Sequence, residues 1–212
     1  MDPYQEIVLL FTRYPEPGLC KTRLIPILGN IGAADLQRRM TERVVGQAAL
    51  LAVSHPHCFE IHYDGGSLSL MRAWLGNSHT YRQQTDSGLG IRMSEAISAH
   101  LGKKTAILLT GSDCPEIRAP LLSDALKALR KNDMVVGPAC DGGYYLIGVN
   151  GALGAGVVSS LFTGIPWGST SVFAGTMAKA GRHQLTCHIL PELHDIDRPE
   201  DLEYIHHHPD FE

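Results

Sequence analysis

Short apolar runs alternate with amphipathic stretches along most of this chain. Strand-like runs fall at residues 6–11, 58–63, 105–110, 134–138, 144–149 and 184–190, with a weaker one near 80–84. Between most of them lie helical patterns: Leu36, Met40, Val44, Ala48 and Leu51 recur at helical spacing, as do Leu121, Leu122, Ala125, Leu126 and Leu129. Alternation of strand and helix predicts a largely parallel sheet. One connection breaks the rule, because only residues 139–143 separate two apolar runs, too few for a crossover helix. That pair is expected to be antiparallel. The pattern therefore predicts an α/β fold, a mostly parallel sheet with one reversed strand, and a final helix starting near Pro199.

The chain has 212 residues, 44% hydrophobic and 19% charged, without internal repeats or a low-complexity linker. One domain spanning residues 1–212 is expected. Formal net charge is -4 and no Lys/Arg block recurs, which excludes a nucleic-acid footprint and favours small-molecule partners. No apolar stretch approaches the ~20 residues of a membrane span, and residues 1–6 lack the build of a signal peptide, so a cytoplasmic location is expected. Five widely spaced cysteines without any CxxC argue against a disulfide framework and against structural zinc. His206-His207-His208 reads as a terminal polar run rather than a metal site.

The run at 105–110 ends in Gly111-Ser112-Asp113-Cys114-Pro115, which places a carboxylate at the C-terminal end of a buried strand. Open α/β sheets bind ligands there. A carboxylate beside a core requires a cation, a metal or hydrogen bonds in compensation. Mg²⁺ or Mn²⁺ meets that need, since such ions are held by one or two carboxylates plus substrate phosphates; a turn or cap role also fits. If the first strand lies beside this one, with helices leaving to opposite faces, their loops meet at a switch point.

The loop after the first strand reads Thr12-Arg13-Tyr14-Pro15-Glu16-Pro17-Gly18-Leu19-Cys20-Lys21-Thr22-Arg23-Leu24. Arg13, Lys21 and Arg23 suit a polyphosphate, and Gly18 allows backbone N–H groups to approach an anion. The spacing is not that of a Walker loop, and a solvated basic loop fits as well.

Further groups have both structural and chemical readings. Asp141-Gly142-Gly143 is a strong hairpin signal, while Asp141 is also an acceptor-binding group or general base, with Tyr144 or Tyr145 lining a cleft. Asp197, Pro199 and Glu200 approach a capping box, yet Asp195 or Asp197 could complete the coordination of Asp113. Trp167-Gly168-Ser169-Thr170-Ser171 opens a helix and offers an acceptor site or an ordinary cap. The segment Gln84–Met93 is a strand end, a Gly-rich turn and a helix start carrying Arg92, and reads as a cap or as a base- or phosphate-contacting loop. Gly-x-Ser-x-Gly is absent, so covalent hydrolase chemistry has little support.

Taken in order, FTRYPEPGLCKTRL, DSGLGIRM, LTGSDCPEI, VVGPACDGGYYLIGV, IPWGST and DIDRPEDL span nearly the whole chain. Together they resemble a family of small bacterial GT-A-like proteins, first catalogued as a domain of unknown function and grouped with glycosyltransferases. That family is similar to the nucleotide-diphospho-sugar transferases, which include the molybdenum-cofactor guanylyltransferases and 2-phospho-lactate guanylyltransferase. The last carries a Lys-Ser-Arg-Leu version of Lys21-Thr22-Arg23-Leu24.

The resemblance implies a GT-A/Rossmann-like three-layer sandwich and a metal-dependent transferase using a nucleotide sugar and an unidentified small-molecule acceptor. Asp113 and Asp197 would hold Mg²⁺ or Mn²⁺. Lys21 and Arg23 would meet the donor phosphates, with Arg13, Gly18, Thr22 and Arg92 also on the substrate. Beside what the resemblance implies, the residue-level readings set the acceptor over Asp141 and one of Tyr144 and Tyr145, with Trp167 and Ser169 near it, add Gly142 and Gly143 to the substrate site, and make Asp113, Asp141 and Lys21 catalytic. Two readings stand beside it: nucleotidyl transfer from a nucleoside triphosphate with pyrophosphate released, and a non-catalytic nucleotide-binding module. A homo-oligomer remains open. The chain departs from the family where Arg13 replaces a lysine, electrostatically but not geometrically equivalent, and where Gly168 is inserted between Trp167 and Ser169.

Overall fold

The computed structural model describes residues 5–206, so His207 and His208 lie outside the described residues. A seven-stranded sheet has the order β3-β2-β1-β4-β6-β5-β7. Its strands are β1 (Glu6–Arg13), β2 (Cys58–Asp64), β3 (Thr80–Gln83), β4 (Ala106–Thr110), β5 (Met134–Pro138), β6 (Tyr144–Asn150) and β7 (Cys187–Ile189). β1 runs parallel to both β2 and β4, and β6 alone is reversed, antiparallel to β4 and β5. The reversal follows from the short 139–143 connection.

β1 sits centrally because its sequence has no solvent side: every residue from Glu6 to Thr12 is buried. Alternate side chains feed two cores. Val8, Leu10, Ala106, Leu108, Val135 and Leu146 pack under α1 (Ile25–Ser54) and α4 (Ala119–Ala128). Ile7, Leu9, Ile107, Leu109, Val136 and Ile147 pack under α3 (Leu89–Ser98), α5 (Ala155–Phe162) and α6 (Val172–Arg182). A smaller cluster seats α2 (Leu68–Leu75) against β2 through Met71, Ile61 and Tyr63. The result is a three-layer α/β/α sandwich, as expected.

The apolar positions predicted for the long helix, from Leu36 to Leu51, form its buried face. Three details differ from the sequence reading. The helix extends beyond the apolar face read from sequence, starting at Ile25 with a break at Gly29, whose φ of 68° lies in the left-handed region. The helices after β1 and β4 do not leave to opposite faces. α1 and α4 share one core, because Val44 and Leu51 meet Leu122, Ala125 and Leu126 over the same row of strand residues. The strands are nonetheless adjacent, and their connections diverge to opposite edges of the sheet, so the loops after them face each other. Finally, α7 (Leu202–His206) is preceded by a 3-10 turn at Pro199–Asp201, and its entry is capped by Asp201 rather than Glu200. The Asp201 carboxylate accepts from the Asp197 and Arg198 amides at 3.0 and 2.7 Å.

Among the described residues no helix is long and apolar enough to cross a membrane. One polar cluster is built into the sheet. Glu60, opposite Leu9 in the register, receives Arg82 Nε at 2.7 Å and lies 3.4 Å from both His62 and His100. Burial opposes the charge, but the nearby His100 and His62 imidazoles and the Arg82 guanidinium outweigh it and hold the carboxyl far below its usual range. A depressed carboxyl contributes stability above the unfolded-state value near ~4.3 and loses it as pH falls. Stability measured by urea unfolding should therefore drop on acidification below pH ~4.3, and Glu60→Gln should flatten that limb while weakening the fold at neutral pH.

Candidate active site

A cleft of about 430 Å³ opens at the C-terminal ends of β1 and β4. Its walls are the start of α3, the 139–145 hairpin, the segment before α6 and the irregular stretch carrying Asp195 and Asp197. Charge is divided between its two sides.

Arginines line the β1–β2–β3 side. The register sets Arg13 beside Asp64, and the two pair at 2.6 Å, while Arg13 also donates to the Leu19 carbonyl at 3.1 Å. Arg92, on the first turns of α3, donates to Gln84 Oε1 at 2.9 Å and lies 3.6 Å from Asp64. Gln84 is oriented in turn by its amide, which donates to the His62 carbonyl at 2.8 Å. Arg23 pairs with Asp197 across the mouth. All three arginines line the cleft. Both the Arg13–Asp64 and Arg23–Asp197 pairs are substantially exposed, and such pairs are worth ~0–1 kcal/mol, so little holds either arginine to its carboxylate.

The floor between the two sides is polar and buried. The Thr12 hydroxyl meets that of Thr41 at 2.7 Å, and Gln37 Nε2 lies 3.2 Å from both and 3.3 Å from Ser112 Oγ. This network joins the ends of β1 and β4 to α1.

Acids dominate the opposite side. Asp113 is half-exposed and accepts from Lys21 Nζ at 2.7 Å. Asp195 is partly buried, and that burial, with the Asp141 carboxylate beside it and Asp201 and Asp113 nearby, pushes its carboxyl up to about 6. Asp141 stands at the hairpin, where its Oδ1 accepts the Gly143 amide at 2.7 Å. Gly142 takes φ +87°, the left-handed geometry expected of the turn.

Aromatic groups close the far end. Tyr144 and Tyr145 point to opposite faces: Tyr145 enters the α1/α4 core and donates to the Pro191 carbonyl at 3.0 Å, while Tyr144 packs on the α3/α5/α6 side. Trp167 stacks on Phe162 at 6.5 Å and meets the edge of Tyr144 at 6.2 Å. Ser169 donates to the Pro166 carbonyl at 2.8 Å and accepts the Ser171 amide, so it shapes its own turn.

Of the residues singled out from sequence, Arg13, Arg23, Gln84, Arg92, Asp113, Asp141, Gly143, Tyr144, Tyr145, Trp167, Gly168, Ser169, Asp195 and Asp197 line this cleft. Gly18, Lys21, Thr22 and Gly142 do not. Gly18 faces Asn30, and Thr22 is exposed in the turn before α1. Gly142 packs against the backbone of Thr170, where a Cβ would fall 2.3 Å from a carbonyl oxygen. Sequence reading missed Asp64 and Gln37 as cleft residues. Asp64 ends its strand much as Asp113 follows its own, a signal visible in the sequence, whereas Gln37 on a long helix offered none.

This architecture is the fold of the nucleotide-diphospho-sugar and nucleotidyl transferases. A crystal structure described as a "putative nucleotide-diphospho-sugar transferase", from Desulfovibrio desulfuricans G20, superposes with a TM-score of 0.85 at 31% identity, over 98% of this chain and 93% of that one. Residues 47–169 match the model of DUF2064, a family described as uncharacterized protein conserved in bacteria. The chain belongs to that family.

Two more distant structures share the fold. The 4-diphosphocytidyl-2C-methyl-D-erythritol synthase of Anaerococcus prevotii DSM 20548 gives a TM-score of 0.63 at 10% identity, over 96% of this chain and 95% of that one. Rv0371c of Mycobacterium tuberculosis H37Rv, solved in complex with manganese, gives 0.55 at 15% identity, over 94% and 97%. No curated protein sequence matches the chain.

Gly90 is the position on which the aromatic wall depends. A Cβ there would fall 2.6 Å from the Trp167 indole nitrogen and 2.7 Å from the Phe162 carbonyl oxygen. Gly90→Ala should displace the indole and cost about 1–3 kcal/mol. Urea unfolding and Trp167 fluorescence, read in a Trp74→Phe background, test this; an unshifted emission maximum would show that the wall does not depend on the glycine.

Proposed function

We propose that this protein is a divalent-metal-dependent transferase that takes a nucleotide sugar as donor. The observation that carries the reading is the division of one strand-end cleft into an arginine side and a carboxylate side. A nucleoside diphosphate needs both: guanidinium forks for its phosphate oxygens, and acids that share a hard cation with them. The description given to the D. desulfuricans relative and the manganese bound by Rv0371c support the same reading.

The donor set fits such an ion. Asp113, Asp195 and Asp197 offer only carboxylate oxygens, the ligands of Mg²⁺ and Mn²⁺ rather than of softer metals. Among the described residues no cluster of three or more His, Cys, Asp or Glu side chains forms a metal site unaided. An Mg²⁺ or Mn²⁺ ion takes one or two carboxylates from a protein and the rest of its shell from phosphate and water. When bound, the ion would neutralise charge developing on the departing diphosphate.

The chain's own groups have separable tasks. Arg13, Arg23 and Arg92 exchange their carboxylate and amide partners for phosphate oxygens, and hold the leaving group through paired N–H donors. The Thr12–Gln37–Ser112 network keeps the loops after β1 and β4 at a fixed separation. Tyr144 and Trp167 exclude water from the acceptor end. Asp141, beside them on the hairpin, accepts the proton of the attacking hydroxyl.

Nucleotidyl transfer from a nucleoside triphosphate is the second reading, favoured by the Lys21-Thr22-Arg23-Leu24 tetrad and by the cytidylyl enzyme that shares the fold. Released nucleoside diphosphate identifies glycosyl transfer, and pyrophosphate identifies the alternative. In a thermal-shift panel of nucleotide sugars and nucleoside triphosphates with and without Mn²⁺, a ligand at 100 times its Kd should add about 2.7 kcal/mol, or about 5–10 °C. No shift with any compound would overturn the donor site. Binding without turnover would indicate a nucleotide-binding module.

Asp113→Asn should lower turnover at least about 100-fold with the fold intact, the scale of losing a group that stabilises developing charge. Wild-type turnover in this variant would end the metal assignment. Of the two C-terminal acids, Asp195→Asn should weaken Mn²⁺ binding more than Asp197→Asn, because Asp197 is already neutralised by Arg23. Electron paramagnetic resonance of free Mn²⁺ measures the difference.

A further inference from the structure

We infer that Lys21 is a positioning residue, a clamp that fixes Asp113 and the acid-bearing segment at 193–197 against each other, and not a ligand to substrate phosphate. The backbone gives the first indication. Lys21 has φ 45° and ψ 42°, a left-handed conformation seldom adopted by a residue with a Cβ, and its side chain is only 3% exposed. The ammonium donates to Asp113 Oδ1 at 2.7 Å and to the Ile196 carbonyl at 2.6 Å. Neither Lys21 nor its ammonium lines the cleft.

A second bond makes the connection reciprocal. The Ile196 amide donates to the Asp113 carbonyl at 2.9 Å, so the main chain and the lysine tie the same two segments together. The Ile196 side chain is fully buried with Leu24, Leu36 and Met40, which seats that segment on the start of α1. Moving the ammonium to a phosphate would strand the Ile196 carbonyl and remove the cation from Asp113. Arg13, Arg23 and Arg92 reach the cleft without such a loss. Asp113 keeps its second carboxylate oxygen free of the lysine, so the clamp directs one oxygen while holding the other.

The clamp rests on geometry, and its kinetic consequence rests on the donor-site reading. Its test therefore begins with the ligand-free protein, comparing Lys21→Met and Lys21→Arg by hydrogen exchange and mass spectrometry. Methionine removes the charge, and arginine retains it on a planar fork that does not match two acceptors set for an ammonium. In both variants, exchange across residues 193–197 should accelerate about 10-fold or more relative to the rest of the chain. In turnover, kcat should fall about 100-fold in both, with the nucleotide KM within about threefold of wild type.

A phosphate ligand would behave differently: unchanged exchange, a raised KM in Lys21→Met and near-normal turnover in Lys21→Arg. That pattern would overturn the clamp. Should neither variant fold, Asp113→Ala removes the other end of the bridge, and faster exchange at 193–197 is again expected; wild-type exchange there would overturn the proposal. If the wild-type protein turns over neither nucleotide sugar nor nucleoside triphosphate, the donor reading fails, and exchange alone decides the clamp.

Discussion

The ammonium of Lys21, buried between the Asp113 carboxylate and the Ile196 carbonyl, is the interaction on which the cleft depends. It joins the loop after β1, the loop after β4 and the C-terminal stretch, which lie far apart in the chain. A buried cation demands compensation, and here the compensating groups belong to the acid-bearing elements of the proposed site. Charge burial thus becomes a device of assembly: the acids are close because a lysine beneath them requires it.

Around this point the cleft is organised by paired charge at differing depths. Arg13 and Asp64 are adjacent because β1 and β2 are parallel neighbours, and Arg23 meets Asp197 because Ile196 is anchored in the small cluster beside α1. These outer pairs are solvated and exchangeable, whereas the inner one is not. The distinction divides the exposed cations at the cleft from the buried one beneath it. Among the acids of the cleft, Asp195 has its carboxyl pushed up to about 6 by its burial and by the Asp141, Asp201 and Asp113 carboxylates near it.

Much of the fold was legible in the sequence because burial leaves a plain record. Six apolar runs and a weaker seventh became the strands, and the helical face from Leu36 to Leu51 became the buried side of α1. The short connection at 139–143 specified the reversed β6 pairing, since no crossover helix fits in it. The placement of α1 and α4 on one face was not legible, because amphipathic spacing identifies a buried stripe without saying which side of the sheet receives it. The capping of the last turn by Asp201 rather than Glu200 was equally hidden, since both acids stand within reach of the turn in sequence.

For the site, the sequence by itself determined the inventory: acids and arginines concentrated at strand ends, two glycine-bearing turns and an aromatic pair. Tertiary structure decided which of them act together. Lys21 and Arg23 are two residues apart and chemically alike, yet the left-handed turn at Lys21 sends one beneath the site and leaves the other at its mouth. Gln37, Asp64 and Gln84 entered the cleft through register and helix placement, which arise from contacts between segments remote in the chain. Residue type fixes what a group can do, while long-range packing fixes what it faces.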